Sequence, residues 1–349
     1  MGAKALLGPT LDAVEDAAVV VTGGIITAAG RREDVELAND LDIIDLPGTT
    51  FLPGFIDAHV HIGFYEPATV LAGGVTTVRD LGWPPRDIFS LARRSKELEF
   101  DGPVINAAGA MLTAPGGYPT TSTWAPEGTG LEISGSTEAR DAVEHMVRSG
   151  ASVIKVALNP PAGPTLDADT LGHVVEAAHD NRLRVTGHVH GLEELDKALD
   201  AGLDELAHML MGLDVIPPST IERMVDRGLT VVPTLAIRRD KELEVALTNL
   251  RNFTRSGGRV VYGTDLGNTG SSPGIDLREV QLMAEAGMST VAILHSATVG
   301  AADWMNLSST GVLEAGRDAD IIGFAGDPLD GVSSLGEPRT VVKKGRRVL

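Results

Sequence analysis

The sequence predicts an α/β protein: a (β/α)8 TIM barrel carrying a small β-sandwich built from both ends of the chain. Three observations lead there. Helical patterns alternate with short apolar runs through the middle of the chain. About eight such runs fall within roughly 250 residues, the usual size of this barrel. The two ends instead read as short β-branched runs broken by Gly and Asp. Strand–helix alternation implies parallel pairing, and an open doubly wound sheet is the structural alternative.

The elements follow in order. Ala18 to Val21, Gly24 to Ala28, Leu41 to Leu46 and Thr49 to Ile56 read as strands, the last with Pro53-Gly54 inside it. Barrel strands are expected at Phe55, Val75 to Leu81, Val104 to Ala108, Val153 to Leu158, Arg184 to Val189, Asp204 to His208, Thr230 to Leu235 and Arg259 to Asp265. Helices are expected at Asp141 to Arg148, Asp169 to Asn181, Leu192 to Asp200, Thr220 to Asp226 and Leu243 to Thr254. Gly150, Gly202 and Gly228 close three of them, as glycine commonly does past a helix end. Gly311 to Gly316, Asp320 to Phe324 and Arg339 to Val342 are β-like again, and the basic end Lys343 to Arg347 reads as a solvated turn. The division is residues 1–52 with 305–349 as the sandwich, and 53–304 as the barrel.

Composition excludes several functions. The 349 residues carry a net charge of −19, which repels nucleic acid and anionic membranes. Cysteine is absent, so disulfides, thiolate catalysis and Cys-ligated metals are ruled out. A metal site must use His and carboxylate. No apolar run approaches the ~18 residues of a membrane span. The N-terminus lacks a signal-peptide pattern, and Leu6 stands where myristoylation favours Ser or Thr. A cytoplasmic protein acting on a small molecule is expected.

Nine histidines are unevenly placed. His59 and His61 end one strand run, two residues apart and hence on one face. His188 lies late in another, His208 ends a third, and Asp265 ends the last. Strand ends converge at one mouth of a barrel. Imidazole and carboxylate there suit zinc, manganese or cobalt. His145, His173, His179 and His295 fall in helical patterns and read as structural. Lys155 sits inside the apolar run Val153 to Val156, where a cation is costly. It is either salt-bridged within the barrel, or a modified or ligand-adjacent lysine whose amine burial frees for chemistry.

The run Leu52-Pro-Gly-Phe-Ile-Asp-Ala-His-Val-His61 resembles the first-strand signature of the amidohydrolase superfamily. Thr186-Gly-His-Val-His-Gly191, Asp204-Glu-Leu-Ala-His208, Gly263-Thr-Asp265 and the tail Gly311 to Asp320 match in the same order. The nearest subgroup is the imidazolonepropionase and Xaa-Pro dipeptidase-like enzymes. The resemblance implies two divalent metal ions, zinc as first choice. His59, His61 and Asp265 would hold one ion, and His188 and His208 the other. Lys155 would bridge both as its carbon dioxide adduct, a carbamate. Two ions ~3.5–4 Å apart would share a hydroxide. Asp265 would be the catalytic proton carrier. A homo-oligomer is also implied.

His190 is a candidate substrate ligand. So is Tyr118, on a Gly/Pro loop where the related pattern often has His. Trp124 and Met209 to Met211 are candidate pocket residues, with packing the expected role of the methionines. Arg238 and Arg239 could meet a substrate carboxylate, with a solvated surface role as the default. The expected reaction is hydrolysis of an amide in an N-acyl amino acid, dipeptide or cyclic amide. Lactone or ester hydrolysis by the same centre is the alternative. Deamination ranks lower, because Glu193 and Glu194 follow His190 too late to be its helper acid. A scaffold with a dead barrel ranks last, because all six ligand positions are filled.

Overall fold

The computed structural model describes residues 3–38 and 42–349. Both ends of the chain meet in one seven-stranded sheet. Ala3–Leu7 pairs antiparallel with Asp12–Thr22 and parallel with Thr49–Pro53. Thr49–Pro53 pairs in turn with Ile321–Ala325, which carries Thr340–Lys343 on its other side. Asp12–Thr22 and Ile25–Arg31 form a hairpin through Gly23 and Gly24, both at positive φ. A two-residue turn of that hand matches the twist of the strands it joins, and glycine adopts it without steric cost.

Two expectations at the ends need correction. Gly311 to Gly316 forms no strand; it runs along the Ile25 edge instead, with Gly316 N donating to Ile26 O at 2.8 Å. Residues 42–46 carry no strand either, and Leu41 lies outside the described residues. The basic end is not a simple solvated turn. Lys343 is buried in a strand, and its Nζ donates to the carbonyls of Ser95 and Gly102. Only Lys344 and Gly345 make the turn, where the ladder passes from Lys343 to Arg346.

The central strands are parallel. Phe55–Val60, Val75–Asp80 and Val104–Ala107 pair in sequence. Ile154–Leu158, Val185–Val189, Glu205–Leu206, Thr230–Val231 and Arg259–Val260 continue the order. Ser152 N donates to Ala107 O at 2.9 Å and joins the two runs. Ala58 N donates to Tyr262 O at 3.0 Å, and Asp265 N to His59 O at 2.8 Å, so the last strand segment meets the first. The arrangement is consistent with a (β/α)8 barrel. Gly54 joins the terminal sheet to the first of these strands. A Cβ there would sit 2.1 Å from Thr76 Oγ1, so only glycine lets the strands pass that closely.

The helices form where capping and periodicity agree. Asp167 accepts from Thr170 N at 2.7 Å and starts Ala168–Asp180. Glu138 reaches back to Ser134 N at the start of Gly135–Ser149, and Gly150 ends it in the left-handed conformation. Pro67–Ala72, Pro85–Arg94, Leu277–Glu285 and Val299–Trp304 are helices that patterning left unassigned, and Thr290–Ala297 is the helix expected around His295. The last three barrel strands are shorter than expected. Past Leu206 and Val231 the chain bends so that Met209 N reaches Pro233 O at 3.1 Å, and Pro233 has no N–H to extend a ladder. No helix of the described residues is long and apolar enough to cross a membrane.

One buried acid makes a stability prediction. Glu279, fully buried, accepts from Ala236 N at 2.7 Å. Burial pushes its carboxyl up to about 8 from 4.5. Between those values the folded chain holds a proton the unfolded chain has released, so stability falls as pH rises. From pH 5 to pH 8 this group should cost on the order of 3 kcal/mol. Glu279→Gln keeps the acceptor and removes the titration. Urea midpoints at the two pH values should therefore differ less in the variant than in the parent; equal differences would refute the assignment.

Candidate metal centre

The centre starts from one strand. Every residue of Phe55–Val60 is buried, and alternation turns Asp57, His59 and the following His61 to one face. Asp57 was missed at the sequence level, although it stands two residues before His59. Its Oδ1 accepts from His59 N at 3.0 Å and Thr264 N at 3.1 Å. Its Oδ2 accepts from Thr264 Oγ1 at 2.6 Å, so it ties the first strand to the segment carrying Asp265. Burial pushes the Asp57 carboxyl up to about 7, against the pull of these hydrogen bonds.

The imidazoles are oriented from behind. His59 Nδ1 faces Ala207 O at 2.7 Å, and His61 Nδ1 faces Gly82 O at 3.0 Å. A carbonyl can only accept, so each Nδ1 carries the proton and each Nε2 presents a lone pair. These Nε2 atoms lie 3.2 and 3.3 Å from Asp265 Oδ1. Acceptor faces acceptor across that gap. His59 Nε2 and Asp265 Oδ1 are buried with no hydrogen-bond partner. A cation between them resolves the conflict. Without one, a proton does so at His61: burial opposes its protonation, but the hydrogen bond and charge of Asp265 outweigh that and raise it. Burial holds His59 well below its ordinary value. Burial also disfavours the Asp265 anion, but the three neighbouring imidazoles hold its carboxyl well below the usual carboxylate range.

Asp265 is also held in place by its backbone. Its φ is 55°, the left-handed region. Asp tolerates that conformation better than most residues, and the bond from Asp265 N to His59 O fixes it.

The other candidates gather beside this trio. His188 and His208 have ring centroids 4.7 Å apart, and His208 lies 4.7 Å from His59. His208 Nδ1 meets Thr234 Oγ1 at 2.8 Å. His188 Nε2 and Lys155 Nζ are buried without hydrogen-bond partners. Burial lowers His188 to about 3 and Lys155 to about 7. Among the described residues Lys155 Nζ has no carboxylate partner, which disfavours reading it as a buried ion pair. Among the described residues only His59, His61 and Asp265 form a group with all ligand atoms within 4.8 Å. The orphaned lone pairs and the donor set fit divalent metal.

The peripheral candidates divide. The Tyr118 ring lies 5.2 Å from His188, and Trp124 lies 5.3 Å from His61. His190 is half-buried past its strand end, with its ring over Gly212. Met209 is buried, as packing requires. Arg238 is a correction: it is 2% exposed, not solvated. Its guanidinium donates to Met209 O and to Leu210 O at 3.2 Å, so it pins the segment that follows His208. Arg239 turns back on Ala236 O and Arg238 O. Glu194 is bound by Thr165 and Lys197, away from any helper role. The four helical histidines lie on Gly135–Ser149, Ala168–Asp180 and Thr290–Ala297, outside the centre.

A family model, the amidohydrolase family, matches residues 50–348. The chain belongs to the amidohydrolase family. As an amidohydrolase it is an enzyme that cleaves carbon–nitrogen bonds by metal-dependent hydrolysis. It is 27% identical to an enamidase of Eubacterium barkeri over 331 residues, 87% of this chain and 80% of that one. It is 24% identical to an ochratoxinase of Aspergillus niger, over 94% of this chain and 81% of that one. A solved Xaa-Pro dipeptidase with bound methionine in its active site superposes with a TM-score of 0.83 at 25% identity, over 99% of this chain and 97% of that one.

Proposed function

We propose that this amidohydrolase cleaves the amide bond of a small molecule at a centre of two divalent ions, zinc as first choice. His59, His61 and Asp265 would hold one ion, and His188 and His208 the other. Lys155, as a carbamate, would supply further oxygen ligands. The reading rests above all on one observation: buried lone pairs of His59 and His61 face the Asp265 carboxylate with no donor between them. The likeness to an enamidase, an ochratoxinase and a dipeptidase supports a small amide as substrate.

Bound ions of this kind acidify water to a pKa near 7 and polarise the scissile carbonyl. The chain does the rest. Asp265, ionised and buried, accepts the proton of the attacking water and delivers it to the leaving nitrogen. His59 and His61 keep their Nδ1 protons on carbonyls and cannot compete for it. His190 and Tyr118 contact the substrate at the mouth. The domain division that goes with this reading is residues 1–52 with 305–349 as a small β unit around the terminal sheet, and residues 53–304 as the barrel.

Metal removal tests the reading. Dialysis against a chelator should lower hydrolysis of a panel of N-acyl amino acids and prolyl dipeptides by roughly 100-fold or more. Zinc, manganese or cobalt with bicarbonate should restore it. Activity that survives with under 0.1 ion per chain would overturn the proposal.

A further inference from the structure

The chain has thirteen aromatic residues in 349, only 4%. Several, such as Phe55, Phe253, Phe324 and Tyr262, are spent in the core. Four others gather, incompletely buried, at the mouth of the centre: Phe64, Trp83, Tyr118 and Trp124. Their rings form an unbroken series. His188 meets Tyr118 at 5.2 Å, Tyr118 meets Trp124 at 6.0 Å, and Trp124 meets His61 at 5.3 Å. Phe64 extends the series, 6.2 Å from Trp124 and 4.9 Å from Trp83.

The series is a wall rather than a clamp, because 6.0 Å between tilted rings leaves no room for a third ring between them. It is also rigid. A Cβ at Gly63 would lie 2.2 Å from the Trp83 indole, so the indole rests directly on backbone. Phe64 stays 42% exposed. These rings leave an apolar, partly open face beside His61 and His188 that a flat ring could cover.

We infer that the substrate carries an aromatic ring next to its scissile amide, stacked on the Tyr118–Trp124 wall. This rests on the amide-hydrolase reading, and it adds the substrate class. Aromatic pairs gain beyond burial alone, enough for about tenfold over an aliphatic ring of equal size.

The test pairs a planar with a saturated ring. Binding of benzamide and cyclohexanecarboxamide is read by tryptophan fluorescence, and hydrolysis is compared for N-benzoylglycine and N-cyclohexanecarbonylglycine. The benzoyl member should be favoured about tenfold in Kd and in kcat/KM. Trp124→Leu should bring both ratios close to one, whereas a merely structural role would lower both ligands alike. Equal binding of the two amides by the parent would overturn the inference. Selective binding without any hydrolysis would leave it standing and overturn the hydrolase reading instead.

Discussion

Asp265→Asn is expected to lower kcat/KM for amide hydrolysis by roughly 1,000-fold or more, the scale of a lost general acid–base group that also holds metal. The substitution isolates chemistry from folding. Asn accepts the left-handed backbone that Asp265 adopts at φ 55°, where most residues are strained. It fills the same volume. Its amide N–H can donate to the Nε2 of His59 or His61, which offsets the loss of the charge that pairs with protonated His61 in the metal-free parent. The metal-free variant should therefore melt close to the temperature of the metal-free parent while its activity is lost. Steady-state rates and thermal melts on stripped and reloaded protein check both parts. Activity within tenfold of the parent would remove Asp265 from the mechanism.

Lys155→Met should have a comparable effect by another route. The Lys155 side chain is buried with no partner at Nζ, and burial lowers its pKa to about 7. A neutral amine adds carbon dioxide and an ammonium does not, so a large fraction of the chains can react at neutral pH. Met fills the space and offers no oxygen. The bound metal should fall from two ions per chain to one or fewer, with a rate loss of about 1,000-fold. Reloading of stripped parent protein should need bicarbonate, and reloading of the variant should ignore it. Two tightly held ions in Lys155→Met, with activity near that of the parent, would show that the lysine bridges nothing.

Much of this centre was legible in the residues. His59 and His61 stand two apart in a strand, and that period alone puts both rings on one face. His188, His208 and Asp265 each follow an apolar run, so the strand rule brings them to the same mouth. Asp57 was not legible. Its period with His59 and His61 is right, but a carboxylate that accepts from Thr264 depends on a partner 207 residues away. Arg238 misled for the opposite reason. A pair of arginines after an apolar run reads as surface, and only the turned-in carbonyls of Met209 and Leu210 make burial affordable. Lys343 misled in the same way, among five residues of which four are basic. The helices at Pro67 and Pro85 are short, and six to ten residues carry too little periodicity to stand out.

The terminal sheet sets a schedule for the chain during its synthesis. Thr49–Pro53 is flanked in the finished sheet by Ala3–Leu7 on one side and Ile321–Ala325 on the other. Thr50 Oγ1 closes on Gly326 O across 276 residues of sequence. At about 5–20 residues per second, the ribosome needs tens of seconds to deliver that partner. For all that time one edge of Thr49–Pro53 is open, and open edges recruit other strands. The strand directly precedes Phe55–Val60, the strand that positions His59. Settling of the strand that leads into the first metal ligands is thus tied to the arrival of Ile321–Ala325, so a ribosome stalled before residue 321 releases a product that holds every proposed ligand and still lacks the partner of Thr49–Pro53.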